Sequence, residues 1–310
     1  MNILITGGAG YVGYSLVKYL LNSPIESQIE NIIIYDNLSR RNYNLFFGEG
    51  LNKHKIRFVQ GELLDSRKIR ENLQGVDILI HLAAKVTTPY ADLDSHFFEQ
   101  INHWGTAELV NTVETSQHQL KHFINLSSIS VYGSLEEEID ENSIPQPTSF
   151  YGISKLRAER HIHRLQEQMK VHIIRSGNVY GYNPCMRTDA VINRFMFEAN
   201  FNQRVSIHGD GSQTRAFIHV EKLAYLLAQL LVQELESGTY PLVEHNFSVN
   251  DISHTLLELY PQLERIYINQ HIQMRSVKVK TPCKIVESIP LPQKSFLEEL
   301  DEFKAHFSFF

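Results

Sequence analysis

Three glycines spaced three residues apart are the feature that most restricts how this chain folds. The apolar segment Asn2–Thr6 is typical of a buried strand, and a helical pattern follows the glycines. Side chains at the glycines would block a tight turn, the approach of a pyrophosphate, or close packing of helix on sheet. The start of the helix offers free N–H groups to phosphates. We therefore predict a dinucleotide site formed by Gly7, Gly10, Tyr11, Val12 and Gly13.

The second apolar segment, Asn31–Tyr35, is followed by Asp36, which lies 23 residues after Gly13. This is close to the spacing of roughly 20 residues expected for an acid that binds the adenosine ribose. A carboxylate there accepts hydrogen bonds from both ribose hydroxyls and repels a 2′-phosphate, so the sequence favours NAD over NADP. The neighbouring Arg40 and Arg41 keep NADP open. The alternative is that Asp36 caps a loop and that the glycines form an ordinary turn.

Short apolar segments alternate with helical patterns along the N-terminal part of the chain. This alternation predicts an α/β fold with a Rossmann-type, doubly wound parallel sheet. After about Gly181, shorter segments interrupted by proline replace the pattern. We therefore expect an NAD-binding Rossmann domain over residues 1–180 and a smaller C-terminal substrate-binding lobe over residues 181–310, and leave open which of its segments return to the first domain. The predicted strands after the first two are Ile56–Val59, Val76–His81, Phe123–Leu126 and Val171–Arg175.

A serine and a Tyr-x-x-x-Lys pair form the candidate catalytic group. Ser128 follows the fifth predicted strand, and Tyr151 and Lys155 lie four residues apart on one face of a predicted helix. A nearby ammonium favours the phenolate, so we expect it to lower the pKa of Tyr151 and to allow proton exchange with an alcohol. Tyr14 and Lys18 show the same spacing, but their position after the glycine loop indicates a structural role. The simpler interpretation of Ser128 is a hydroxyl that satisfies loop backbone.

These motifs together resemble the extended short-chain dehydrogenase/reductases of the NAD-dependent epimerase/dehydratase family, in particular the nucleotide-sugar 4-epimerases. The similarity extends from the glycine loop to about Val220 and is fainter beyond it. The matching segments are Gly7–Gly13, Asp36–Leu38, His81–Ala84, Asn102, Ser127–Gly133, Tyr151–Lys155, Arg175–Gly181 and Gly209–Val220.

The resemblance implies a role for each matching position. It makes Ser128, Tyr151 and Lys155 catalytic, with Ser128 also contacting substrate, and Tyr151 and Lys155 also contacting NAD. The other implied cofactor contacts are Asn37, Glu62, Leu63, Leu82, Ala83, Ala84 and Asn102, and the other implied substrate contacts are Asn178, Arg215 and Arg275. The chain departs from the family pattern where Glu62 replaces an Asp, Tyr182 a Pro and Ala216 an Asp. For Arg215 the alternative is a salt bridge between the lobes.

The two residues after Ser128 select among the reactions of the family. The dehydratases that the chain resembles place an Asp-Glu pair there, whereas this chain has Ile129 and Ser130, neither of which is a useful acid or base at neutral pH. We therefore expect an epimerase that oxidises a sugar hydroxyl transiently, at carbon 4 of a nucleoside-diphosphate sugar. The alternatives are an NAD(P)-dependent reductase or dehydrogenase of a keto sugar or small alcohol, and a non-catalytic dinucleotide-binding regulator.

Composition limits the partners and the compartment. The net charge is −6, which favours neither a nucleic-acid nor a membrane partner, and the only cysteines, Cys185 and Cys283, lie far apart. The histidines show no metal-ligand spacing, so we expect no metal, and we expect a cytoplasmic protein. The resemblance also implies a homodimer formed by two helices at about Asp94–Ser116 and Tyr151–Met169.

Overall fold

A parallel sheet at the centre of the molecule carries the N-terminal part of the chain. The computed structural model describes residues 1–47, 53–86, 95–117, 120–133, 137–269 and 276–307. The strands are β1 (Asn2–Thr6), β2 (Asn31–Asp36), β3 (Ile56–Gln60), β4 (Ile78–His81), β5 (His122–Ser128), β6 (Lys170–Ser176), β7 (Asn178–Tyr180), β8 (Arg204–His208), β9 (Thr214–His219), β10 (Gly238–Leu242), β11 (His245–Ser248) and β12 (Glu264–Ile268).

Helices cover both faces of this sheet and build the second lobe. They are α1 (Tyr11–Asn22), α2 (Asn44–Phe47), α3 (Ser66–Leu73), α4 (Ser95–Phe97), a π-helix (Phe98–Trp104), α5 (Gly105–Glu114), α6 (Phe150–Ile162), α7 (Val191–Asn202), α8 (Val220–Gln229), α9 (Val249–Leu259), α10 (Lys284–Ser288) and α11 (Phe296–Ala305). Short 3₁₀ segments include Ile129–Tyr132 and His163–Glu167.

Within the described residues, seven strands form the main sheet in the order β10-β6-β5-β4-β1-β2-β3, and each pairs with its neighbours in parallel. One face packs on α1 and α8 and the other on α3, α5 and α6, so both faces are buried. The order reverses at β1, which lies between β2 and β4, and such a switch point opens a crevice at the carboxyl ends of the strands. The predicted doubly wound α/β fold is confirmed.

The C-terminal part forms a second core around α7, α9 and α11. It contains a sheet of order β11-β9-β7 and the pair β12-β8. Two of its segments return to the first domain, because β10 joins the edge of the main sheet beside β6 and α8 packs against α1. We therefore propose a domain boundary near residue 181, with α8 and β10 assigned to the first domain.

The two helices predicted at the dimer interface differ from the expectation. The first consists of α4, the π-helix and α5, and its predicted start at Asp94 lies outside the described residues. The second begins where the Ser149 side chain accepts a hydrogen bond from the Gly152 amide at 3.1 Å. It ends as α6 at Ile162 and tightens into a 3₁₀ segment instead of continuing to Met169, because the chain must turn into β6 within a few residues.

A buried ionic cluster joins the second lobe to the first. Lys222 on α8 lies 2.6 Å from Glu299 Oε1 on α11 and also pairs with Glu244, while the Tyr180 hydroxyl donates to Glu299. Potential ligand atoms of Glu244, His245 and Glu299 lie within 4.8 Å of one another, a spacing that a metal ion would also suit. The Lys222 ammonium supplies positive charge to both carboxylates, so this cluster is an ion-pair network.

No helix among the residues that the structure describes has the length and apolar character needed to cross a membrane.

Two histidines contact each other inside the main sheet. Nε2 of His122 on β5 lies 2.7 Å from Nδ1 of His172 on β6, and both side chains are buried. Burial is the largest cause that lowers their pKa values, to about 3 for His122 and about 4 for His172. As the pH falls, these two histidines therefore bind protons at a higher pH in the unfolded chain than in the folded protein.

We predict that the stability of the fold falls with pH below the unfolded histidine pKa of about 6.5, and continues to fall toward pH 4. Each extra proton bound by the unfolded state contributes a slope of about 1.4 kcal/mol per pH unit. His172→Gln removes one titrating group, so the slope of the unfolding free energy between about pH 6 and pH 4 becomes shallower in urea titrations. His254→Gln, at an exposed position, is the control. An unchanged slope in the His172 variant would contradict the prediction.

Candidate active site

A cleft of about 1240 Å³ opens at the carboxyl ends of the main-sheet strands and is closed on its other side by the second lobe. It brings together most of the residues predicted from the sequence, although these are far apart along the chain. Its lining includes Gly7, Gly10, Tyr11, Val12, Gly13, Asp36, Asn37, Glu62, Leu63, Leu82, Ala83, Ala84, Ser128, Tyr151, Lys155, Asn178 and Arg215.

The glycine loop lets two parts of the backbone approach more closely than side chains would allow. Gly7 has φ +71°, and a Cβ on it would lie 2.6 Å from the Ala83 nitrogen. A Cβ on Gly13 would lie 2.5 Å from the Gly8 carbonyl oxygen. Because α1 begins directly after Gly10, which has no side chain to cap it, the first N–H groups of α1 are directed to the cleft floor. This cradle fits a pyrophosphate.

Carboxylates lie at the adenosine end of the cleft. Asp36 Oδ2 accepts a hydrogen bond from the Ala9 amide at 3.1 Å and Oδ1 accepts one from the Leu38 amide at 2.8 Å. Burial raises the pKa of Asp36, and these two backbone hydrogen bonds oppose that effect. Each oxygen keeps a lone pair for a ribose hydroxyl. The Glu62 carboxylate accepts a hydrogen bond from the side-chain amide of Asn37 at 3.0 Å and adds negative charge beside Asp36.

A segment of the second lobe, residues 181–190, crosses the start of α1; we call it the strap. The Tyr11 hydroxyl donates to the Gly181 carbonyl at 2.5 Å. The Asn183 side chain donates to the Tyr11 carbonyl at 2.9 Å and to the Ser15 hydroxyl at 2.8 Å. Asn44 donates to the Pro184 carbonyl at 2.9 Å. The sequence predicted Tyr11 for the phosphate loop but gave no sign that its side chain ties the two lobes together.

Ser128 and Tyr151 meet at the other end of the cleft, where β5 ends and α6 begins. Tyr151 hydrogen-bonds the Ser128 side chain. The Ser128 hydroxyl donates to the Ser130 hydroxyl at 3.1 Å and accepts from the Ser130 amide at 3.2 Å. The ring of Phe98 packs edge-on against Tyr151, with centroids 5.9 Å apart. The two hydroxyls at Ser128 and Tyr151 are thus placed to share one reacting oxygen.

The proton affinity of Tyr151 differs from the expectation. Burial raises the pKa of Tyr151, and the Arg187 guanidinium and the hydrogen bond to Ser128 oppose this effect. The expected lowering by Lys155 was wrong for this state of the protein, because burial dominates and the Lys155 ammonium donates to the Leu126 carbonyl at 2.6 Å. Burial also lowers the pKa of Lys155 to about 8, and the Glu159 carboxylate opposes that shift.

Asn102 lies behind the cleft and not in its lining. Its side chain accepts from the Lys85 amide at 2.8 Å and donates to the Lys85 carbonyl at 2.9 Å. It also donates to the Ser154 hydroxyl of α6 at 3.1 Å. Asn102 belongs to the π-helix. Such helices are rare in proteins, and those that occur often lie at functional sites. Through these contacts it fixes the 82–86 turn against the helix that carries Tyr151.

Asn178 and Arg215 lie side by side at the second-lobe edge of the cleft. β7 pairs with β9, and the Asn178 side chain donates to the Ala216 carbonyl at 3.0 Å. Arg215 donates to the Thr214 carbonyl at 2.9 Å, and burial lowers the pKa of its guanidinium. Ala216 is buried in the core, so the position at which the family usually has Asp does not face the cleft. Arg275, the remaining predicted contact, lies outside the described residues.

The two residues after Ser128 have different environments. Ile129 is 4% exposed and belongs to the hydrophobic core, whereas Ser130 lines the cleft. Among the described residues, the carboxylates of the cleft lining are Asp36, Glu62 and Asp189. Asp189 accepts two hydrogen bonds from Arg187, at 2.6 and 3.1 Å. Apart from Asp189, which is paired with Arg187, the described lining near Ser128 and Tyr151 therefore offers hydroxyl groups.

Comparison with known proteins identifies the family. Residues 3–241 match the model of the NAD dependent epimerase/dehydratase family. The chain is 32% identical over 266 residues to human dTDP-D-glucose 4,6-dehydratase, an alignment that covers 83% of this chain and 73% of that protein. It is 31% identical over 230 residues to a putative UDP-glucose 4-epimerase of Methanocaldococcus jannaschii, and this alignment covers 72% of this chain and 70% of that protein.

The fold is also that of solved members. A Streptomyces venezuelae dTDP-glucose 4,6-dehydratase, crystallised with NAD, superposes with a TM-score of 0.85 at 22% identity and covers 99% of this chain and 97% of its own. The predicted family, enzyme class and NAD dependence are therefore confirmed, whereas the relatives include both dehydratases and epimerases and leave the individual reaction open. This chain belongs to the NAD-dependent epimerase/dehydratase family of sugar-nucleotide enzymes.

Proposed function

We propose that this enzyme is a nucleotide-sugar 4-epimerase that works by transient oxidation of the sugar, with Tyr151 as the acid/base group. The observation that carries the proposal is the composition of the catalytic end. Hydroxyl groups of Ser128, Ser130 and Tyr151 lie there, and the carboxylates of the described cleft lining lie at the adenosine end or in the Arg187–Asp189 pair.

The residues of the cleft fit NAD and can perform the proton transfers. The glycine cradle suits the pyrophosphate and Asp36 suits the ribose. Bound NAD supplies the hydride acceptor and donor. Tyr151 exchanges the proton of the sugar hydroxyl, and Ser128 holds the reacting oxygen through its hydroxyl. Because burial raises the pKa of Tyr151, this step needs positive charge nearby, which Arg187 provides in the structure and which Lys155 and bound NAD would add. After the keto sugar turns over, Tyr151 returns the proton and the configuration is inverted.

A dehydratase needs one group to remove a carbon-bound proton and an acid to protonate the departing hydroxyl. The Ser130 hydroxyl can act neither as the base nor as the acid at neutral pH, and Ile129 is buried in the core. A reductase must exchange its cofactor after each turnover. The strap, bonded to Tyr11, Ser15 and Asn44, favours retention of the cofactor over exchange. Both observations support the epimerase over the other reactions.

We also propose a nucleoside-diphosphate sugar as the substrate. Arg215 and Asn178 line the cleft next to the catalytic end, and a buried guanidinium can hold a phosphate through two parallel hydrogen bonds. The sugar then lies between these residues and Tyr151. Free buried thiols at Cys185 and Cys283 support the cytoplasmic location that we propose for the reaction.

A homodimer is supported by exposed aromatic side chains on the two predicted interface helices. Phe97, Trp104 and Phe150 are 41%, 58% and 49% exposed, respectively. The apolar residues Leu109 and Val110 of the first helix pack in the core and do not contribute to this surface. The aromatic side chains therefore form the surface that we propose to bury between two copies of the chain.

Product analysis tests the proposed reaction. We predict that UDP- and dTDP-linked hexoses incubated with the enzyme give pairs of carbon-4 epimers by proton NMR, without net formation of NADH. A 4-keto-6-deoxy sugar as the product would show a dehydratase, and steady accumulation of NADH would show a dehydrogenase. Either result would contradict the epimerase.

We predict that Tyr151→Phe keeps the fold and NAD binding but lowers turnover by roughly 10²- to 10⁴-fold, the usual contribution of a positioned acid/base group. Tyr14→Phe is the matched control, because Tyr14 also precedes a lysine by four residues but lies in the hydrophobic core. Initial rates and NAD titrations of both variants check this. Equal losses in the two variants would mean that the site is misplaced.

We predict that Asp36→Asn weakens NAD binding and improves NADP binding relative to NAD, because it removes the charge that repels a 2′-phosphate while keeping the size of the side chain. Asp65→Asn, which alters the cap of α3 instead, should keep the native preference. Fluorescence titrations with both cofactors measure the ratio. A native protein that already prefers NADP would refute the assignment.

We predict that the native protein has the mass of a dimer in light scattering at micromolar concentration. Trp104→Glu places a charge on the proposed interface and should shift the mass toward the monomer. Phe47→Glu, at another exposed aromatic residue away from these helices, is the control. A native protein that is monomeric under these conditions would refute the homodimer.

A further inference from the structure

A buried ion pair lies directly behind the catalytic helix. Arg175 on β6 donates from Nη2 and Nε to the Glu159 carboxylate of α6, at 2.7 and 3.1 Å. Its Nη1 donates to the Tyr132 hydroxyl at 2.8 Å, and the Ser127 hydroxyl of β5 donates to the same carboxylate. Glu159 is 1% and Arg175 7% exposed. One carboxylate thus connects α6 to the ends of both strands that flank it.

Lys155 precedes Glu159 by one helical turn, so the two side chains lie on the same face of α6. Burial disfavours the charged form of Lys155, and Glu159 is the charge that opposes this effect. His81 on β4 also lies near Lys155, but it is neutral at physiological pH because burial lowers its pKa to about 3. The groups that act on the Lys155 ammonium are therefore Glu159 on its own helix, the Leu126 carbonyl of β5 and His81 of β4, while Arg175 of β6 contacts Glu159 from the other side.

The balance of charge explains why a carboxylate is needed there. Arg175 and Lys155 are both buried cations, and Glu159 contacts the first directly and lies one helical turn from the second. A buried ion pair is weak evidence for stability by itself, since apolar residues of similar size often replace such a pair without loss. An apolar pair could not, however, reproduce the effect of the Glu159 carboxylate on the Lys155 ammonium.

We propose that Glu159 is a positioning residue of the reaction: its carboxylate, held by Arg175 and Ser127, keeps Lys155 as an ammonium ion at neutral pH and fixes α6 so that Lys155 and Tyr151 face the cleft. The proposal rests on the roles proposed above for Tyr151 and Lys155, but it does not depend on which sugar is bound.

The pH dependence of NAD binding tests this proposal without any substrate. An ammonium is lost as the pH rises through its pKa, so NAD affinity of the native protein should fall as the pH rises through about 8. Glu159→Gln should move this fall to lower pH and weaken NAD binding at neutral pH by roughly tenfold. Arg175→Lys keeps a cation beside the Glu159 carboxylate and removes only the two parallel hydrogen bonds, so the carboxylate stays charged and the fall should not move to lower pH.

The opposite behaviour of the two variants separates this role from a purely structural one. A structural ion pair predicts that both substitutions lower the melting temperature and change NAD binding alike, and that result would overturn the proposal. An unchanged pH dependence in Glu159→Gln would overturn it as well. If Glu159→Gln does not fold, the double variant Glu159→Gln/Arg175→Lys is compared with Arg175→Lys, and the fall must again lie at lower pH in the double variant.

Glu114→Gln is the matched control. Glu114 on α5 accepts from Arg164 at 2.7 Å, so it also forms an ion pair near α6, but one that is partly exposed and far from Lys155. Its substitution should leave the pH dependence of NAD binding unchanged. The NAD-binding experiment uses no sugar, so its result stands even if product analysis rules out the epimerase. Likewise, an NAD-binding result that rules out the role of Glu159 leaves the product analysis valid.

Discussion

A Cβ atom on Gly7 would lie 2.6 Å from the Ala83 nitrogen, and one on Gly13 would lie 2.5 Å from the Gly8 carbonyl oxygen. This close approach of backbone to backbone holds the start of α1, the end of β1 and the turn after β4 in one compact unit. The amide groups of α1 are thereby directed to the floor of the cleft. The remaining parts of the site are attached to this unit, because Asp36 bonds the Ala9 amide and the strap bonds Tyr11.

Charge is distributed unevenly along the cleft, and the two ends therefore suit different chemistry. Asp36 and Glu62 make the adenosine end negative. The rest of the cleft lining combines the hydroxyls of Ser128 and Tyr151 with the cations Lys155, Arg187 and Arg215, and Arg187 acts on Tyr151. A chain with an acid pair after Ser128 would be equipped to eliminate water, and the presence of Ile129 and Ser130 there is the reason why we propose reversible oxidation instead.

Much of the fold and of the cleft was predictable because the signals are local. The glycine spacing, Asp36 at the end of β2 and the pairing of Tyr151 with Lys155 each depend on a few neighbouring residues. The strap was not predictable, because the bond from Tyr11 to Gly181 joins residues 170 apart. The direction of the Tyr151 pKa shift was missed because burial, which only the tertiary structure reveals, outweighs nearby charges. Glu159 lies four residues after Lys155, a spacing that could have identified it.

We propose that the strap and the glycine cradle hold NAD in the cleft throughout the reaction cycle. The most direct measurement is mass spectrometry of the small molecules released when the purified protein is denatured. We expect close to one NAD or NADH per chain, retained through purification without added cofactor. Release of NADP in its place, or of no dinucleotide from a protein that turns over only with added cofactor, would contradict it.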